Sequence, residues 1–137
     1  MRGEYKHTID SKGRLILPAK IREELGDCFV IFKGLDNCLN VFTKADWEVF
    51  AQKITQLPMA DARKMQRFFA DNCECEPDSQ GRIMIPQSLR EYAGLKKDVV
   101  VAGVFGRAEI WDSDAWKAYN DATASSDIAD TMSVLGI

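Results

Sequence analysis

Two arginines, Arg14 and Arg82, stand in matched settings, Asp10-Ser-Lys-Gly-Arg14 and Asp78-Ser-Gln-Gly-Arg82. A guanidinium on the outward face of a strand, beside a glycine turn, can grip a phosphate or the edge of guanine with two hydrogen bonds at once. Lys12 would add a phosphate contact to the first setting. Gln80, at the same place in the second, would add a hydrogen bond of the kind that reads adenine. Asp10 and Asp78 are suited to accept backbone N–H bonds inside their own turns, and Gly13 and Gly81 supply the positive φ that such turns often require. The bland alternative is that each Asp–Arg pair is a turn-stabilising ion pair, worth about 0–1 kcal/mol when exposed. Taken alone, the residues favour the turn-stabilising pair.

The other reactive side chains point away from catalysis. His7 is the only histidine, and the four cysteines, Cys28, Cys38, Cys73 and Cys75, contain no CxxC pair, so a tetrahedral zinc site has little support. Cys73 and Cys75 share one face of a strand by the two-residue period, which suits buried packing. No Ser/His/Asp set, phosphate-binding glycine loop or G-x-S elbow is present. We therefore expect a non-enzyme with no metal, no cofactor and no small-molecule substrate.

The matched settings belong to a longer repeat. The segment DSKGRLILPAKIREELG from Asp10 returns as DSQGRIMIPQSLREYAG from Asp78, with mostly apolar-for-apolar changes such as Leu15 to Ile83. A repeated unit of this kind usually cannot bury its apolar face alone and closes a core against its own copy. Each copy should run strand, turn, returning strand, helix. In the first, Glu4 to Thr8 precede the Asp10–Gly13 turn, and Arg14 to Leu17 return with Leu15 and Leu17 on one face and Arg14 on the other. Pro18 and Pro86 suit the first turn of a short helix, where the missing N–H costs nothing, and Gly26 and Gly94 end it. Two strands follow in each copy, and the continuous run Val99 to Val101 implies cover on both faces. Each copy then opens a capped helix at Thr43 or at Asp112–Ser113, carrying Trp47 or Trp116 as a core or interface residue. Arg22–Glu23 and Arg90–Glu91 are expected on solvated helix faces.

Helical spacing through Trp47, Phe50, Ile54 and Leu57, a break at Pro58 and resumption at Ala62, Met65 and Phe69 read as a helical hairpin between the copies. The expected division is residues 4–47 as the first copy, 48–72 as a helical connector, 73–119 as the second copy and 120–137 as a flexible polar tail. In that tail Ile128, Met132 and Leu135 have the spacing of a weak helix.

At 137 residues, 46% hydrophobic and 28% charged, the chain has an ordinary globular composition with no apolar run long enough for a membrane span and no signal-peptide stretch at its start. A cytoplasmic location is expected. The net charge of −3 and pI near 5.2 argue against a nucleic-acid partner only on average. Residues 1–24 set Arg2, Lys6, Lys12, Arg14, Lys20 and Arg22 against Glu4, Asp10, Glu23 and Glu24, a local +2 that leaves −5 elsewhere. Binding depends on the face presented, not on the mean.

The pattern D-x-x-G-R, an apolar tripeptide, Pro, then L/I-R-E and Gly resembles the SpoVT-AbrB domain of bacterial DNA-binding proteins. Two copies, opening at His7-Thr-Ile-Asp-Ser-Lys-Gly-Arg14 and Cys75-Glu-Pro-Asp-Ser-Gln-Gly-Arg82, resemble the MraZ family over residues 1 to about 120. The resemblance implies an α+β fold: a pseudo-symmetric β-barrel of two tandem copies with short helices and a connecting hairpin. It also implies a nucleoid-associated transcriptional regulator, with repression expected, acting as a ring-shaped homo-oligomer on direct repeats of double-stranded DNA upstream of the division and cell-wall gene cluster. The DNA-facing positions carried over are Asp10 to Arg14 and Asp78 to Arg82. Lys12 and Gln80 differ, so the copies should contribute unequally. An AbrB-like antitoxin or assembly module with a protein partner is the other function class in view.

Overall fold

The computed structural model describes all residues, Met1–Ile137. The first copy supplies β1 (Glu4–Thr8), β2 (Arg14–Ile16), α1 (Ala19–Leu25), β3 (Phe29–Lys33), β4 (Leu39–Thr43), α2 (Lys44–Thr55) and α3 (Met59–Phe68). The second repeats that order as β5 (Asn72–Cys75), β6 (Arg82–Met84), α4 (Gln87–Tyr92), β7 (Asp98–Val104), β8 (Arg107–Asp112), α5 (Ser113–Ala122) and α6 (Ser125–Val134). The protein is thus α+β with antiparallel pairing throughout. Thr43 and Asp112 cap their helices through side-chain oxygens, accepting from the N–H groups of Asp46 and Ala115. Pro18 and Pro86 stand at the cap itself, one residue ahead of the first turn.

Strand pairing interlocks the copies. The main sheet has the order β1-β7-β8-β4-β3-β5, and β2 pairs with β6 in a separate two-stranded ribbon. Only β3–β4 and β7–β8 are hairpins within a copy. The first strand of each copy pairs into the other, β1 on β7 and β5 on β3. The core follows the same rule: of its 18 residues, nine from Ile9 to Val41 come from the first copy and nine from Cys75 to Ile110 from the second. Neither half can close that core alone.

Two expectations need correction. The sheet does not close into a barrel: β1 and β5 are its two edges and do not pair with each other. The strand after each D-x-x-G-R turn does not return along the strand before it. At the turns the backbone bonds locally, Asp10 N to Arg14 O at 3.1 Å and Asp78 N to Arg82 O at 3.0 Å, which diverts β2 and β6 away from their own copies and toward each other. The ribbon then closes over the core through Leu15, Leu17, Ile83 and Ile85, so the apolar faces are satisfied without a continuous hydrogen-bonded ring.

Val99 to Ala102 and Phe29 to Phe32 are buried on both faces, as their unbroken apolar runs require. Outside β3 and β4, α2 and α3 pack an aromatic cluster around Phe32, whose ring lies 4.7 Å from Phe42, 4.8 Å from Trp47 and 5.7 Å from both Phe50 and Phe69. Beyond α5 the tail carries a helix, α6, all of whose residues are exposed.

Candidate nucleic-acid interface

The two turns have the same geometry. Asp10 Oδ1 accepts the N–H groups of Lys12 and Arg14, both at 2.9 Å, and its Oδ2 accepts Arg14 Nε at 2.6 Å. In the second copy Asp78 Oδ1 accepts from Gln80 and Arg82 at 2.9 Å, and Oδ2 accepts Arg82 Nε at 2.8 Å. Gly13 and Gly81 close the turns with φ of 84° and 77°. The backbone N–H of the arginine, more than its charge, holds each aspartate carboxyl below its ordinary range. Each aspartate thus ties its own turn together and aligns its arginine. Only Nε is taken, so no hydrogen bond within the chain occupies the two terminal amino groups of either guanidinium, which leaves them available for a bidentate contact.

The ribbon brings the two arginines together. Arg14 lies opposite Met84 and Ile16 opposite Arg82, while Leu15 and Ile83 point into the core. Arg14 and Arg82 are thus diagonal neighbours on one outer face, roughly 7–8 Å apart as such pairs run. Between them sit two exposed apolar side chains, Ile16 (46% exposed) and Met84 (59%). Lys12 and Gln80 stand exposed at the tips of the two turns. The face therefore carries two forked cations, two apolar side chains and one donor or cation at each end. The sequence signal for Ile16 and Met84 is only the two-residue period from Arg14 to Ile16 and from Arg82 to Met84, which places each on the arginine face.

Arg22 and Arg90 do not lie on the solvated helix faces that their local sequence predicts. Each is partly buried and donates Nε to the carbonyl before its own proline, Arg22 to Leu17 O at 3.1 Å and Arg90 to Ile85 O at 2.9 Å. Each guanidinium then lies over the turn of the other copy. A Cβ at Gly81 would run into Arg22, and one at Gly13 would sit 2.7 Å from Arg90 Nε and 2.6 Å from Ile85 O. These arginines fasten the ribbon from beneath. Their signal was recurrence at the same place in both copies, but which turn they cover depends on the interlocked pairing.

The cysteines are all free. Burial pushes Cys38 up to about 12 and raises Cys75, whose sulfur lies 3.6 Å from Cys73 Sγ on the shared face of β5. No helix is long and apolar enough to cross a membrane.

Fold and surface together define a tandem-duplicated α+β protein that offers a paired arginine ribbon on one side. A family model described as "MraZ protein, putative antitoxin-like" matches residues 1–68 and again residues 68–134. The chain is 51% identical over 140 residues to the transcriptional regulator MraZ of Caldicellulosiruptor bescii, with 98% of each chain covered. It is 53% identical over 140 residues to that of Alkaliphilus metalliredigens, again covering 98% of each. With that of Caldanaerobacter subterraneus subsp. tengcongensis it shares 53% identity over 124 residues, 88% of this chain and 87% of the relative. The chain belongs to the MraZ family. These relatives are named for transcriptional regulation and not for catalysis.

Proposed function

We propose that this chain is a sequence-specific DNA-binding transcriptional regulator that reads double-stranded promoter DNA through the outer face of the β2–β6 ribbon. The supporting observation is the placement of Arg14 and Arg82 on one face, each oriented by an aspartate that leaves its terminal amino groups free. A two-stranded ribbon fits the major groove, where arginine recognises guanine bidentately and apolar side chains meet the thymine methyl. Ile16 and Met84 suit the latter role. Lys12 takes a phosphate and Gln80 a base or phosphate, which makes the two ends of the ribbon unequal.

One ribbon offers few contacts, and the chain carries a net charge of −3. Several copies joined in a closed ring would raise effective concentration wherever direct repeats match their spacing. We extend the reading to such a ring on direct repeats upstream of the division and cell-wall gene cluster, with repression as the outcome, in the cytoplasm at the nucleoid. Binding to DNA from upstream of the chain's own gene, against scrambled DNA at stated salt, tests this reading. Equal affinity for the two removes sequence specificity and leaves the antitoxin or assembly module as the better account.

A further inference from the structure

The last helix buries none of its residues against its own chain. Its stripe of Ile128, Met132 and Leu135 recurs at four and three residues, yet all three are exposed. A ten-residue helix is marginal in water without packing. Residues 123–137 hold two aspartates, Asp127 and Asp130, and no lysine or arginine.

A surface of opposite character lies between α3 and the sheet. A groove of about 520 Å³ is floored by Phe32, Phe42 and Phe69 and bordered by Leu35, which is 75% exposed. Lys33 and Lys64 stand on the rim. The flanking helix α3 adds Arg63 and Arg67 against the single Asp61.

We infer that α6 of one copy seats its Ile128–Met132–Leu135 stripe in the α3 groove of a second copy, with Asp127 and Asp130 facing the basic rim. Apolar stripe meets apolar groove and acidic helix meets basic lip, which favours a copy of this chain over an unrelated partner. A helix laid into a groove is a recurrent recognition mode. The contact is heterologous, since stripe and groove are different surfaces, so it adds copies head to tail and closes wherever the rotation allows. It deepens the assembly part of the reading above and is independent of the DNA surface.

Two full-length variants test it by mixing. Ile128→Asp/Met132→Asp spoils the stripe and keeps the groove, whereas Leu35→Glu/Lys64→Glu spoils the groove and keeps the stripe. All four substituted side chains are exposed, so both variants should melt close to the parent. Light scattering of the parent should show a discrete oligomer at micromolar concentration. Each variant alone should fall to the mass of one chain, and the equimolar mixture should yield a dimer joined by its single intact contact. A parent oligomer whose mass neither variant lowers leaves the assembly standing and overturns the contact. A mixture that stays monomeric overturns it as well, as does a stripe variant whose monomer melts much earlier, because α6 then packs on its own chain. A monomeric parent removes contact and ring together.

Discussion

The two copies agree most closely at their D-x-x-G-R turns and least at the helices that close them. At the turns every hydrogen bond of Asp10 has a counterpart at Asp78. At the closing helices, α2 and the end of α3 bring Trp47, Phe50 and Phe69 onto Phe32 and Phe42 of the sheet, whereas α5 sets only Trp116 and Tyr119 against Trp111, and α6 buries none of its residues. The order of elements is the same in both. The difference shows that a repeated backbone plan does not by itself repeat packing: a helix stays down only where large apolar side chains meet it.

The sharpest break in that comparison should come from Phe32→Ala. It removes the centre of the aromatic cluster and should cost about 3–5 kcal/mol, measured by denaturant unfolding. Trp116→Ala on the other side leaves Trp111 and Tyr119 in contact, 5.3 Å apart, and should cost less. Equal losses would mean that the two closures are equivalent after all.

Substitutions at the turn glycines should sharpen the other half of the comparison. Both have positive φ, so alanine at either should cost about 1–3 kcal/mol. Gly13→Ala should be the worse, because its Cβ meets the Ile85 carbonyl, which is fixed in the backbone, whereas the nearest atoms to a Cβ at Gly81 belong to the Arg22 side chain, which can shift at the cost of its bond to Leu17 O. A larger loss at Gly81 would show that Arg22 cannot move aside.

Arg14→Ala and Arg82→Ala should each weaken promoter binding by about 1–3 kcal/mol while shifting stability by no more than about 0.5 kcal/mol. The loss at Arg14 should be at least as large as that at Arg82. Lys12→Ala should lower the salt slope of binding by about 0.9 per phosphate contact removed, and Gln80→Ala should leave the slope almost unchanged. Binding assays over a salt series measure both. Wild-type affinity in both arginine variants would reduce the motif to a structural turn.

The smallest effect concerns acid. Asp10 and Asp78 have folded-state carboxyls held below the ordinary value, so their contribution is present above the unfolded value of about 3.9 and fades as pH falls through the lower folded values. Asp10→Asn/Asp78→Asn should therefore flatten the acid limb of the stability profile below about pH 4 while destabilising the turns near neutrality. An unchanged acid limb would mean that other carboxylates carry it.

Legibility in the sequence followed the range of the interaction. Composition, the repeat, the turn aspartates and glycines, the buried valine run and the Thr43 and Asp112 caps were readable, because each depends on neighbours a few positions away. Which strands pair was not. Period two tells which face Arg14 presents but not that its strand joins Met84 instead of returning along Tyr5, and a closed barrel suits the same apolar pattern as a six-stranded sheet with a ribbon across it. For the same reason Arg22 looked solvated and Ile16 went unnoticed: one lies over a glycine 59 positions away and the other beside an arginine 66 away. The sequence by itself determined a duplicated α+β unit with two arginine turns. The tertiary structure alone decided that the turns share one face, because that depends on strands exchanged between copies to bury a core neither can close.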